Sequence, residues 1–445
     1  MKNKMKRRTF LSLSAAGTTG LSVVPTSGEP PAKPVKKIGK IGDYSLDDLR
    51  TLYRSDLFED FLPFFDRYVI DHELGGFMCT VDRDGARLST EKRAGYAGRG
   101  IMVYSCLYRY LDPNPKYLDV AQKTLEFLMR ARPQGDALWA ESFTREGKPL
   151  GGTPQSVNTD MYIADGISEY AHANGDEQYW ETAGEILFKC LKIYDTPGYL
   201  ADAGKGILGE NAPASNGFAV MDDWMLFLRL ATRMLEFKSD PEVESVANRC
   251  VDTIMNNFYN TGSGLINEFL NRDLSRPDND LAQYISFGNN FQAQWHVLYE
   301  AVRRKDKKLF DTAAERFRHH IETAWDDVYG GFFGTLSNVD KNIWALDKIA
   351  YVQEESLIGL LCIIEHTGAE WAREWFSRIY AYVRGKFPLK QYGFSLWIVS
   401  SDRKVTFVRH ANRAENFHHP RHLLLNLLAI GRINKRGGKT SGIFA

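Results

Sequence analysis

Asp240-Pro241-Glu242-Val243-Glu244-Ser245-Val246-Ala247 decides how the chain is read. A capping aspartate, a proline at the first helical position, a charged residue and then apolar or small residues spell a helix N-terminus. The same opening recurs at Asn114-Pro115-Lys116-Tyr117, Asp176-Glu177-Gln178-Tyr179 and Asp306-Lys307-Lys308-Leu309, with a degenerate copy at Ala369-Glu370-Trp371-Ala372. Each lies just beyond another apolar helical pattern, separated from it by a few Gly, Asn, Asp or Lys residues. The steps from Asn114 to Asp176, Asp240 and Asp306 are 62, 64 and 66 residues. A near-constant period of that length marks stacked supersecondary units. A leading helix near Ser45–Ile70 and a closing one after His418 bring the total to about twelve helices, or six hairpins. Six αα-hairpins in one domain close most naturally into a ring. The expected fold is therefore all-α, an (α/α)6 barrel over residues 35–435, with 436–445 as a disordered tail.

Between the hairpins runs a second recurring element. Leu74-Gly75-Gly76-Phe77 has a cousin in Tyr329-Gly330-Gly331-Phe332, and Gly262–Glu268 and Gly393–Val399 follow the same style. Glycines followed by alternating apolar and polar residues read as short strands in hairpins. Such long connections belong on one rim of the ring, and long loops on one face of a rigid scaffold are where a site is expected.

Composition narrows the function classes. The 445 residues are 44% hydrophobic and 25% charged, which suits a large globular core, and 56 basic residues cancel 56 acidic ones. No basic field is present to steer nucleic acid. The 13% aromatic content suits a core and equally a pocket that stacks sugar rings. Five dispersed cysteines without a C-x-x-C read as small core hydrophobes. Lys6-Arg7-Arg8-Thr9-Phe10-Leu11, a weakly apolar run to Val24 and a Pro/Ser/Gly-rich stretch to Pro34 resemble a twin-arginine export signal, so residues 1–34 are read as leader and linker and the protein as exported. No stable membrane span is expected, and a homodimer is possible.

The chemistry concentrates at Asn412-Arg413-Ala414-Glu415-Asn416-Phe417-His418-His419-Pro420-Arg421. A proline there suits a helix entrance and holds the histidines on a stiff element. Histidine both takes and gives a proton near neutrality. Three further stretches accompany it: Gly75-Gly76-Phe77 with Asp82 and Gly85, Lys92-Arg93-Ala94-Gly95-Tyr96-Ala97-Gly98-Arg99, and Tyr351-Val352-Gln353-Glu354-Glu355. With Phe417-His418-His419-Pro420-Arg421, these resemble, in order, the motifs of the N-acylglucosamine 2-epimerase family, which includes cellobiose 2-epimerases and mannose isomerases.

That resemblance implies an (α/α)6 barrel that moves a proton at the carbon beside a sugar carbonyl. It implies His418 as acid/base, and Arg99, Tyr351, Glu355, Asn289 and Gln292 as substrate-binding residues. One motif departs from the family. Phe287-Gly288-Asn289-Asn290-Phe291-Gln292 replaces Pro-Gly-His-x-x-Glu, so Asn289 stands for a catalytic histidine and Gln292 for a glutamate. Neutral amides bind hydroxyls but do not exchange protons near neutrality. With one matched base, aldose–ketose isomerisation through a cis-enediolate is easier to accept than epimerisation, unless Glu355, Asp223 or Tyr351 takes the second role. Asp222-Asp223-Trp224 stands near where the family often places a polar substrate contact, but on local grounds it reads as a solvated helix cap. The competing readings are an (α/α)6 glycoside hydrolase, which needs two carboxylates ~5–9.5 Å apart drawn from Asp160, Glu354 and Glu355, and a non-catalytic sugar-binding protein. No cofactor and no metal are expected, and the partner is a small carbohydrate.

Overall fold

The computed structural model describes residues 35–82, 84–152, 154, 156–199, 217–388 and 416–444. The leader, the Gly393–Val399 strand and the start of the histidine stretch at 412–415 lie outside the described residues. The helices are α1 (Leu46–Ser55), α2 (Leu62–Tyr68), α3 (Ala94–Cys106), α4 (Pro115–Arg130), α5 (Asn158–Asn174), α6 (Glu177–Tyr194) and α7 (Met221–Phe237). They continue as α8 (Pro241–Asp252), α9 (Phe287–Arg304), α10 (Lys307–Ala324), α11 (Ala350–Thr367), α12 (Glu370–Lys386) and α13 (His418–Lys435). A π-helical turn, Asp56–Phe61, joins α1 to α2 into one outer rod.

The helix openings read from the sequence are the starts of outer helices. Asn114, Asp176, Asp240 and Asp306 each accept a backbone N–H from the first turn of α4, α6, α8 and α10, while Ala369, the degenerate copy, offers no side-chain cap. The outer helices are amphipathic. The inner ones, α3, α5, α7, α9, α11 and α13, are buried nearly all round; in α11, residues from Ala350 to Glu365 are buried apart from Tyr351. That alternation is what a ring within a ring requires. Inner helices pack on their inner neighbours, α3 on α5, α5 on α7, α7 on α9, α9 on α11 and α11 on α13, and each also packs on an outer partner. This is the (α/α)6 barrel.

Turns from inner to outer helix are tight, closing on left-handed residues at Gly175, Lys305 and Gly368. Every return from outer to inner helix is long, so all long connections gather at the N-terminal ends of the inner helices. Short antiparallel strands lace neighbouring connections: Lys92–Arg93 pairs with Ser142–Phe143, Phe218–Val220 with Phe269–Asn271, and Ile285–Ser286 with Thr335–Asn338. The two Gly-Gly stretches are turns with single bridges at Phe77 and Phe332 rather than strands. A Cβ on Gly75 would lie 2.2 Å from the Lys123 carbonyl oxygen, which explains that glycine.

The C-terminal segment differs from its expectation as a disordered tail. Thr440 donates to the Lys36 carbonyl at 3.0 Å, Ser441 N–H to that of Glu365 at 2.9 Å, and the Phe444 ring sits 4.8 Å from Phe310. Its few apolar residues suffice because the chain supplies a backbone edge at 36–38 for them to pair with. All five cysteines are free and buried. Among the described residues no helix is long and apolar enough to cross a membrane.

Candidate active site

Helix α13 begins at His418, so Pro420 falls in its first turn, where a backbone N–H has no intrahelical partner in any case. Helix α11 lies beside it and supplies Glu355. His418 Nδ1–H donates to Glu355 Oε1 at 2.7 Å, Arg421 Nη2 donates to the same oxygen, and Trp295 Nε1–H donates to Oε2 at 2.8 Å. Burial alone pushes the Glu355 carboxyl up, but the charge of Arg421 and the His418 and Trp295 hydrogen bonds outweigh it and leave it below the usual carboxylate range. An ionised Glu355 holds the proton on Nδ1, so Nε2 is the basic nitrogen of His418.

Around this imidazole the rim closes in. The Tyr351 ring lies 4.9 Å from it, and a Cβ on Gly288 would come within 2.4 Å of that ring, so the glycine at the head of α9 makes room for the tyrosine. The Arg99 guanidinium stands 3.9 Å over Tyr162 and 5.0 Å from Phe417. Asp222 accepts from Asn158 Nδ2 at 2.9 Å, and burial pushes its carboxyl up against the opposing pull of Arg99, Arg229 and His418.

Asn289 does not stand alone where a histidine was expected. Its Nδ2 donates at 2.9 Å to Oε1 of Glu268, a fully buried carboxyl whose Oε2 has no hydrogen-bond partner. Burial, with Asp222 and Asp223 nearby, raises Glu268 well above the usual carboxylate range despite that bond. Tyr351 feels the charges of Glu268, Glu355 and Asp222, so it sits among all three. An ionisable carboxyl thus stands one hydrogen bond from position 289.

Of the residues singled out from the sequence, His418, Glu355, Tyr351, Arg99 and Asn289 converge on this rim. Gln292 lies one turn deeper on α9, buried, with Oε1 lacking a hydrogen-bond partner. Glu268 was missed. Glu268 closes the Gly262–Glu268 stretch, and a carboxylate ending a rim hairpin was the available signal. Asp223 is not a solvated cap: it is 2% exposed and its carboxyl raised, first by burial and then by Asp222, which is itself half-buried.

The carboxylates considered for hydrolysis are otherwise engaged. Asp160 accepts from Lys189 Nζ at 2.6 Å and from the Trp139 N–H at 2.9 Å, which ties α5 to its outer neighbours. Glu354 accepts from His419 Nδ1–H and faces His422 Nδ1 at 3.7 Å. Glu354, His419 and His422 each bring a potential ligand atom within 4.8 Å of the others, a grouping the sequence reading did not anticipate. Two imidazoles and a carboxylate are zinc-type donors. The same groups form a hydrogen-bonded network, with the Tyr53 hydroxyl 3.1 Å from His422 Nε2.

The family model described as N-acylglucosamine 2-epimerase matches residues 75–422. A bovine (Bos taurus) N-acylglucosamine 2-epimerase is 25% identical over 80% of this chain and 85% of its own length. A cellobiose 2-epimerase from Eubacterium cellulosolvens is 24% identical over 76% and 87% respectively. The solved structure of a sugar epimerase from a ruminal bacterium superposes with a TM-score of 0.74 at 18% identity, covering 85% of this chain and 98% of that one.

Proposed function

Because the chain belongs to the N-acylglucosamine 2-epimerase family, we propose that it is a sugar isomerase that transfers a proton at C2 of an open-chain sugar through a cis-enediolate. His418 Nε2 removes the C2 proton, and Glu355 and Arg421 fix the ring and its tautomer. As the proton leaves, charge develops on the oxygens at C1 and C2. Arg99, held by its aromatic cage, is the cation placed to stabilise it, and Tyr351 closes the imidazole's flank. Export through the twin-arginine-type leader is part of the same proposal and would bring the enzyme to sugars outside the cytoplasm.

The observation that carries the reading is the Asn289–Glu268 hydrogen bond near a histidine already oriented by a carboxylate. A buried carboxyl raised above the usual carboxylate range holds its proton to higher pH than a free one, which suits it to act as the second acid/base group beside His418. Glu268 therefore favours epimerisation over single-shuttle isomerisation, with Asn289 positioning it. The test is solvent-deuterium incorporation at C2 across a panel of free aldoses, followed by product analysis. His418→Ala should slow exchange by about 10²–10⁴. Glu268→Gln should retain exchange while the 2-epimer is lost relative to the ketose. A Glu268→Gln enzyme that makes both epimers at the wild-type ratio removes Glu268 from the mechanism, and an unslowed His418→Ala removes the reading itself.

A further inference from the structure

At the opposite end of the barrel, where the inner helices finish, the lumen opens into a cavity of about 540 Å³. Exposed Arg50, Arg54, Arg432 and Lys435 stand at its mouth, and Arg229, Arg233 and Arg421 line its interior. Two carboxylates, Glu169 and Glu236, share the lining. Burial pushes both of them up, and Arg233 is paired with Glu169 and Asp165. In a chain whose charges sum to zero, this is a strong local excess of cations.

Part of that excess has a structural explanation. Cations at helix C-termini answer the helix dipoles, and Arg432 is paired with Glu365 at 2.6 Å. The interior does not fit that explanation. Arg229 sits in the middle of α7 and is 4% exposed; it reaches Asp165 with Nη2 at 2.8 Å, while its Nε and Nη1 have no hydrogen-bond partner. Arg421 spends Nη2 on Glu355, and its Nε and Nη1 likewise have none. His296 Nε2, also lining the cavity and 3% exposed, is a fifth nitrogen without a hydrogen-bond partner. Buried guanidinium donors without acceptors are costly unless something accepts from them. Leu424, Leu427 and Leu428 of α13 and Met102 of α3 make the remaining wall apolar.

We infer that this cavity is a binding site for a small amphiphilic oxyanion, a carboxylate or phosphate monoester whose head meets Arg229 and Arg421 and whose hydrocarbon body lies on the α13 leucines. It goes beyond the sugar reaction and stands or falls without it. Arg421 joins the two ends of the barrel, since the guanidinium that would hold the anion also holds Glu355 against His418.

Isothermal titration of the full-length protein with hexyl phosphate, hexanoate, hexanol and inorganic phosphate tests the site. Both amphiphilic anions should bind with one-to-one stoichiometry and weaken as salt rises. Hexanol and inorganic phosphate should each bind about tenfold more weakly or worse. The doubly substituted Arg54→Glu/Lys435→Glu protein, altered only at exposed mouth residues, should lose about tenfold in anion affinity while its circular dichroism and thermal midpoint stay those of wild type. His418→Ala should bind as wild type does, which separates this site from the catalytic one. The absence of saturable anion binding, equal binding of hexanol, or unchanged affinity in the double variant would each overturn the inference.

Discussion

Two adjacent histidines on α13 meet two adjacent glutamates on α11: His418 bonds Glu355 and His419 bonds Glu354. The chemistry of the contact is the same and its surroundings are not. Glu355 also accepts from Arg421 and Trp295, so a permanent cation already answers its charge and His418 is not required to carry one. Glu354 has no guanidinium on it. It faces two imidazoles, and against the upward push of burial these bring its carboxyl down to about 2, while Glu354 raises His419 above its ordinary value despite burial. One pair has its carboxylate answered by a guanidinium as well as an imidazole; the other sets a carboxylate against imidazoles alone inside the wall. The outward pair also retains some contact with solvent, at 13% side-chain exposure for His418 against 6% for His419. We read the first as machinery and the second as scaffold.

The sharpest way to break that distinction is Glu354→Ala. Removing one partner of a buried pair leaves an uncompensated charge, so urea unfolding should show a loss of about 3–5 kcal/mol. The folded fraction should still exchange deuterium at the wild-type rate per molecule. His418→Ala should show the reverse, near-unchanged unfolding and a large loss of exchange. If both substitutions destabilise equally and both slow exchange equally, the two pairs are one network and the division fails.

A smaller effect should follow Arg421→Lys. Lysine keeps a charge but cannot reproduce the planar guanidinium fork. Glu355 would then hold the His418 ring less firmly, so kcat should fall by about tenfold with KM little changed. A merely structural arginine would lower the thermal midpoint and leave kcat per folded molecule as in wild type.

How much of this was legible beforehand depends on the range of the interaction. The outer helices were readable because Asn114, Asp176, Asp240 and Asp306 announce their own starts within four residues, and capping is local chemistry. The rim was readable because long glycine-marked connections alternate with tight turns. His418, Glu355, Tyr351 and Arg99 came from a resemblance to a family, and the structure brings them together. Glu268 was not readable, since its meaning lies in a bond to Asn289, twenty-one residues away and on another element. The same holds for Asp223, whose burial depends on helices from elsewhere in the ring. The tail after Lys435 was misjudged because it folds by pairing with 36–38, a contact between the two ends of the described chain.

The smallest effect is the most specific to the scaffold pair. The Glu354 carboxyl is depressed from an ordinary 4.5 to about 2, so its contribution to stability is fully present above about 4.5 and is lost as pH falls through 2. The His419 imidazole is raised from 6.5, so its contribution is full below 6.5 and fades as pH climbs through its folded value. Together the two predict a stability plateau between about pH 4.5 and 6.5, with a shallow decline above it. The comparison to make is wild type against Glu354→Gln/His419→Gln, each unfolded in urea at successive pH values, so that every other titrating group cancels in the difference. The difference should be widest on the plateau and narrow on both sides. A difference that instead rises up to about pH 6.5 and stays flat above it would mean that His419 is neutral in the folded protein, and the contrast between the two histidines would then have to be drawn from geometry alone.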